Sequence, residues 1–219
     1  MNRLNVHNNF IWLTISLIVL LMASAMVGIL PPGFAHLFLQ AVTTVTLIVS
    51  YLSLSFGSQW RRFVGSIVVL MLVSSTCREL LGWGAASIAE LLLMLTFFTA
   101  AAYSASRQVL LSGKVEPNTV VGSIAIYLLL GLIWALLYLL VLEFSSGAFN
   151  GLPARDWVEN FSQATYFSYV TLTTLGYGDI SPAEPLSRVL VYLEAITGVF
   201  YMAIVVASLI GARATRLKD

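Results

Sequence analysis

Residues 173–179 read Thr173-Thr174-Leu175-Gly176-Tyr177-Gly178-Asp179, and the alternation of glycine with larger residues decides how this segment is built. An ordinary extended strand turns successive residues to opposite sides. Pointing successive carbonyls the same way needs dihedrals with positive φ, which glycine adopts at little steric cost. Gly176 and Gly178 supply that freedom at alternate positions. Leu175 and Tyr177 can then turn their side chains outward and brace the strand, while Thr174 adds a hydroxyl as the innermost oxygen. Rings of backbone carbonyls from four such strands replace the hydration shell of a dehydrated cation.

Immediately before it, Phe161 to Thr173 is aromatic, Thr-rich and 13 residues long. As a helix it measures roughly 20 Å, too short to cross a bilayer. Asn160 or Ser162 is its candidate cap. Such a segment is either re-entrant or lies on the surface. A re-entrant helix aims its partly negative carboxyl end into the cavity it faces, which favours cations. The stretch Phe144 to Asn160 leading into it is polar and Gly-rich.

Further out, six apolar stretches approach the roughly 20 residues that a crossing helix requires: Phe10 to Leu30, Phe34 to Phe56, Phe63 to Leu81, Ala86 to Ser106, Val120 to Leu142 and Ser187 to Ile210. Turn chemistry separates them at Pro31-Pro32-Gly33, Gly57-Ser58, Gly82-Trp83-Gly84 and Ser112-Gly113 to Pro117. The expected fold class is therefore an all-α membrane protein of six transmembrane helices, with the short helix and loop inserted between the fifth and sixth. Arg3, the first apolar stretch and Ala23-Ser24-Ala25 also read as a secretory signal, but that stretch exceeds the usual signal core of about 7–15 residues.

Composition agrees with a membrane protein. Apolar residues make up 59% of the 219 and charged residues 10%, against about 25% charged in soluble domains. A net charge of +1 offers no basic field for nucleic acid. The single cysteine, Cys77, cannot form an intrachain disulfide, and His7 and His36 are too isolated for a metal site. No nucleophile–base pair, phosphate loop or metal cluster suggests an enzyme. With the amino terminus inside, eight basic residues (Arg3, Arg61, Arg62, Arg107, Lys114, Arg213, Arg216, Lys218) are cytoplasmic, and only Arg78, Arg155 and Arg188 fall outside. Both termini are then cytoplasmic. Trp12, Trp60, Trp83 and Trp157 sit near span ends, as an aromatic belt would place them.

The stretch Tyr166 to Pro182 resembles the pore signature of tetrameric potassium channels, and Glu194-Ala195-Ile196-Thr197-Gly198-Val199-Phe200 is similar to small bacterial six-transmembrane members. The resemblance is specific over about residues 120–211 and only topological before that. It implies a homotetramer in a cell membrane, the bacterial inner membrane for such members, surrounded by lipids. It implies K+ as the permeant ligand, held at Thr174, Leu175, Gly176, Tyr177 and Gly178, and no other cofactor. It also implies supporting roles. Tyr166 and Phe167 match an aromatic cuff around Tyr177. Asp179, next to the filter, matches a carboxylate that bonds back to the pore helix. Glu143 matches a carboxylate at the outer end of the preceding span, and Thr173 joins the filter support. Gly198 matches a gating-hinge glycine, with close helix packing as the competing reading. Where some prokaryotic relatives place a glutamate behind the filter, this chain has Val170. Glu194 is instead placed to reach pore-helix hydroxyls from the last span.

The expected organisation is a four-helix voltage-sensor-like domain over residues 1–118 and a pore domain over 119–219. In the latter, the outer helix spans 120–142, the pore helix 161–173, the filter 174–178 and the inner helix 187–210. A voltage sensor carries basic residues at every third position. The fourth span has none, only Glu90 within it and Arg107 at its inner end, so voltage-insensitive conduction is expected. Arg78 and Glu79 read as a local ion pair. The tail is short, so gating is assigned to the membrane part, to lipids or to a regulatory partner. A less selective cation channel and a non-conducting subunit are the alternatives.

Overall fold

The computed structural model describes residues 9–27, 29–54, 58–81, 84–111 and 117–216, with side chains for all of these except 32–33, 35–36, 58–61, 77–81, 84–85, 110–111, 206 and 209–216. Arg3, His7, Gly57, Gly82, Trp83, Lys114 and Lys218 lie outside the described residues. So do the side chains of His36, Trp60, Arg61, Cys77, Arg78, Glu79, Arg213 and Arg216.

Among the described residues, seven helices account for nearly all of the structure: α1 (Asn9–Val27), α2 (Pro32–Ser53), α3 (Ser58–Leu81), α4 (Gly84–Leu111), α5 (Pro117–Phe144), α6 (Trp157–Leu172) and α7 (Pro185–Arg216). Among the described residues, four stretches are long and apolar enough to cross a membrane: Asn9–Val27, Ala86–Val109, Pro117–Phe144 and Pro185–Val205. The apolar stretches of the second and third helices, Leu37–Ser53 and Arg62–Thr76, are shorter.

Prolines and one aspartate move three boundaries from their sequence-based positions. Pro117 and Pro185 open α5 and α7 ahead of residues 120 and 187, where hydropathy begins them, because proline fits the first turn without needing an N–H partner. The helix expected at 161–173 starts at Trp157, four residues earlier. Its cap is neither Asn160 nor Ser162 but Asp156, whose carboxylate accepts from the Val158 N–H at 2.9 Å. Asn160 is buried inside the helix and donates its amide to the Pro153 carbonyl at 2.7 Å.

The helices pack in a continuous arrangement. Neighbours α1–α2, α3–α4 and α4–α5 lie against one another, and α1 also packs on α5. One apolar core runs from Phe10 and Leu17 through Leu47, Met94 and Phe98 to Leu129, Leu136 and Phe161, so α6 is seated against α1, α2 and α5 of its own chain, and a second gathers Tyr138, Leu142, Phe149, Phe167 and Ile180. At the other end, β1 (Phe149–Asn150) and β2 (Ser181–Pro182) form a two-stranded antiparallel pair, Phe149 opposite Pro182 and Asn150 opposite Ser181. This pair joins the loop before α6 to the loop after residues 174–178.

Candidate functional site: the segment after α6

α6 ends with a turn that reverses the chain. Thr174 N–H donates to the Thr171 carbonyl at 2.9 Å, and Leu175 N–H donates to the Val170 carbonyl at 2.9 Å. With Thr173 as the C-cap, these are the two bonds of a Schellman motif, which needs a left-handed residue at the next position. That residue is Thr174, at φ 60°. Glycine or asparagine usually takes this place; a β-branched residue there costs on the order of 1–2 kcal/mol. Gly176 and Gly178 follow with φ of 57° and 81°. A Cβ on either would meet nothing within 4 Å in the single chain, so backbone conformation rather than space calls for glycine.

Residues 173–179 are all exposed in the single chain, with Tyr177 at 66% and Leu175 at 55%. Much of the rest of the site is buried around them. The Tyr166 hydroxyl donates to Asp179 Oδ2 at 2.7 Å, bringing two predicted residues together across the segment. That hydrogen bond, aided by desolvation and the nearby negative charge, raises the Tyr166 phenol above its ordinary range. Phe167 turns the other way. It is buried against Tyr138 and Phe149, with ring centroids 5.1 and 5.7 Å away. Thr173 donates its hydroxyl to the Tyr169 carbonyl at 2.6 Å. Glu143 stands exposed at the end of α5, beside an open pocket that also touches Arg155 and Trp157.

Behind α6, α7 presents Glu194, Gly198 and Tyr201, one face at i, i+4 and i+7. Glu194 is fully buried and meets the hydroxyls of Ser168 (2.5 Å) and Tyr138. Gly198 is buried directly against the Leu172 carbonyl. The Tyr201 hydroxyl donates to the Ser123 carbonyl at 2.5 Å. α7 runs unbroken through Gly198. Val170 supports the segment through its carbonyl, which accepts from both Leu175 and Gly176 N–H groups.

Sequence reading missed several contributors. Tyr138 and Ser168 lie inside hydrophobic or mixed runs, and their polarity was the only available signal. Gly151, at φ 78°, lies so close to the Asp179 carbonyl that a Cβ would collide with it. At the other end of α6, the buried Trp157 indole N–H donates to Glu90 Oε2 of α4 at 3.1 Å.

Residues 123–213 match a family model described as "Ion channel". A 70-residue stretch is 46% identical to the inward rectifier potassium channel Kirbac3.1 of Paramagnetospirillum magnetotacticum. That stretch covers 30% of this chain and 23% of the relative, so the match spans about a quarter of the relative's length. No solved structure is a significant match. These similarities and the apolar helices support an ion channel in a membrane, with likeness to a potassium channel, and point away from an enzyme.

Proposed function

We propose that the chain is one subunit of a homotetrameric potassium channel that conducts K+ passively through backbone carbonyls and the Thr174 hydroxyl of residues 174–178. The observation that carries this reading is the exposed segment itself: two glycines at positive φ, two residues apart, hung from the end of a short, buried helix. One chain holds one strand of oxygens, and an ion cage needs four. The exposed apolar face of α7, including Val189, Leu193, Ile196 and Phe200, fits burial against neighbouring copies.

In this reading α1–α5 and α7 are six spans, α6 is re-entrant, and both termini face the cytoplasm of a bacterial inner membrane. α4 carries no row of arginines, so conduction is voltage-insensitive. Opening is set by the membrane part, its lipids or a regulatory partner. Asp179, Tyr166, Phe167, Thr173, Glu143 and Glu194 hold the filter in place, and Gly198 acts through close packing or as a hinge. K+ is the permeant ligand at Thr174 to Gly178, and no other cofactor is required.

The test is ion flux into liposomes containing the purified chain, with the Gly178→Asp variant alongside. Expected is a barium-sensitive K+ flux, absent with Na+ and lost in the variant. Equal Na+ flux would overturn selectivity. No flux from a verified tetramer would overturn a self-sufficient channel.

A further inference from the structure

Three oxygen–oxygen contacts meet around Glu194, and the neighbouring hydroxyls supply protons for only two. The Ser168 hydroxyl lies 2.7 Å from the Gly131 carbonyl and 2.5 Å from Glu194 Oε1. The Tyr138 hydroxyl meets Glu194 Oε2. A carbonyl can only accept, and a serine hydroxyl has one proton to give. If Ser168 donates to Gly131, its contact with Oε1 needs a proton from elsewhere. Without one, two sets of lone pairs would face each other in a site where Ser168, Tyr138 and Glu194 are all fully buried.

We propose that Glu194 is a neutral carboxylic acid. Its Oε1–H donates to Ser168 Oγ, Ser168 donates to the Gly131 carbonyl, and Tyr138 donates to Oε2. Every contact then has one proton. The other titratable groups facing this region are engaged elsewhere. The hydroxyls of Tyr127, Tyr169 and Tyr201 donate to the carbonyls of Leu172, Leu128 and Ser123. Arg188, the nearest basic residue on α7, is exposed. Among the described residues no cation faces Glu194, and a buried charge without one is costly.

The resulting chain of bonds ties α7 to α5 and α6 without placing a charge behind the filter. Tyr138 and Ser168 thus become positioning residues, which act on residues 174–178 through α6. The consequence for ion selection rests on the function proposed above; the proton assignment does not.

Two measurements test the idea on the assembled chain. In infrared spectra, the wild-type minus Glu194→Gln difference should contain the carbonyl band of a protonated carboxylic acid; its absence would overturn the assignment. In liposomes, Glu194→Gln should retain far more of the K+/Na+ flux ratio than Glu194→Ala, because an amide, like a neutral acid, presents an acceptor oxygen to Tyr138 and an N–H donor to Ser168. Ser168→Ala and Glu194→Ala should lower the ratio about tenfold or more. A tetrameric Glu194→Gln as unselective as Glu194→Ala would overturn the neutral form. If the wild type carries no K+, the functional reading fails by itself. The infrared band then still decides the proton, and the thermal stabilities of Glu194→Ala, Ser168→Ala and their double variant decide the clamp: non-additive losses support it and additive losses overturn it.

Discussion

Replacing Gly198 with alanine separates two roles for this α7 glycine, close packing and a hinge, by the sign of the effect. The added methyl group would lie 2.9 Å from the Leu172 carbonyl carbon, 3.3 Å from its Cα and closer still to its oxygen. Those are backbone atoms at the end of α6 and cannot rotate aside, so α7 or α6 must move by more than about 1 Å to restore ordinary contact with the oxygen. Overpacking of this kind costs about 1–3 kcal/mol. Against it stands a gain of about 1 kcal/mol for alanine over glycine in a helix interior. Close packing therefore predicts a net loss of up to about 2 kcal/mol per subunit. Because Leu172 is two residues from Thr174, it also predicts a lower K+/Na+ ratio. A hinge without a packing role predicts the reverse: a stiffer, more stable α7, unchanged selectivity and fewer openings. Thermal unfolding of the detergent-solubilised tetramer and liposome flux read both quantities. A more stable Gly198→Ala tetramer with wild-type selectivity would refute the packing argument.

Other substitutions probe the segment's surroundings. Thr174→Gly should relieve the left-handed strain and stabilise the chain by roughly 1 kcal/mol in denaturation, while removing the innermost hydroxyl and weakening K+ block by barium. Gly151→Ala carries both a φ of 78° and a collision with the Asp179 backbone. It should lower thermal stability by about 2 kcal/mol or more and reduce K+ flux. Tyr166→Phe should lower the K+/Na+ ratio a few-fold by freeing the Asp179 carboxylate, with a modest loss of stability in unfolding for the single hydrogen bond removed. Trp157→Phe removes a buried hydrogen bond to Glu90. It should cost about 1–3 kcal/mol in thermal unfolding.

Local chemistry was the legible part of this molecule. Positive φ at Gly176 and Gly178, and a short helix before them, followed from residue type and segment length. Boundaries slipped where the decisive residue was not apolar. Asp156 begins α6, and Pro117 and Pro185 begin their helices, outside the hydropathy runs. Thr174 was read for its hydroxyl, and its backbone conformation could not be foreseen: the Schellman turn that imposes it depends on where α6 stops. Tyr138 and Ser168 stayed hidden for a different reason. Their shared partner, Glu194, is 56 and 26 residues away, and nothing local to either indicates that distance.

At Val170 the support for the segment runs through the backbone. Some prokaryotic potassium channels place a carboxylate on the pore helix at this position, bonded to the carboxylate beyond the filter. Val170 can offer only its backbone, and its carbonyl accepts from Leu175 and Gly176. The two tasks such a side chain could perform are divided here. Tyr166 donates to Asp179 on one side of the segment. On the other side, Glu194 reaches Ser168 from α7. A glutamate placed at 170 would face a second carboxylate, Asp179, which accepts from Tyr166. It would also replace an apolar side chain that is 7% exposed, bringing a charge without a vacant partner. Val170→Glu should accordingly lower thermal stability, and combining it with Tyr166→Phe should recover none of the loss, because a freed Asp179 carboxylate is a like charge that can only accept. A Val170→Glu chain as stable as wild type would refute the cost assigned to burying a carboxyl at this position.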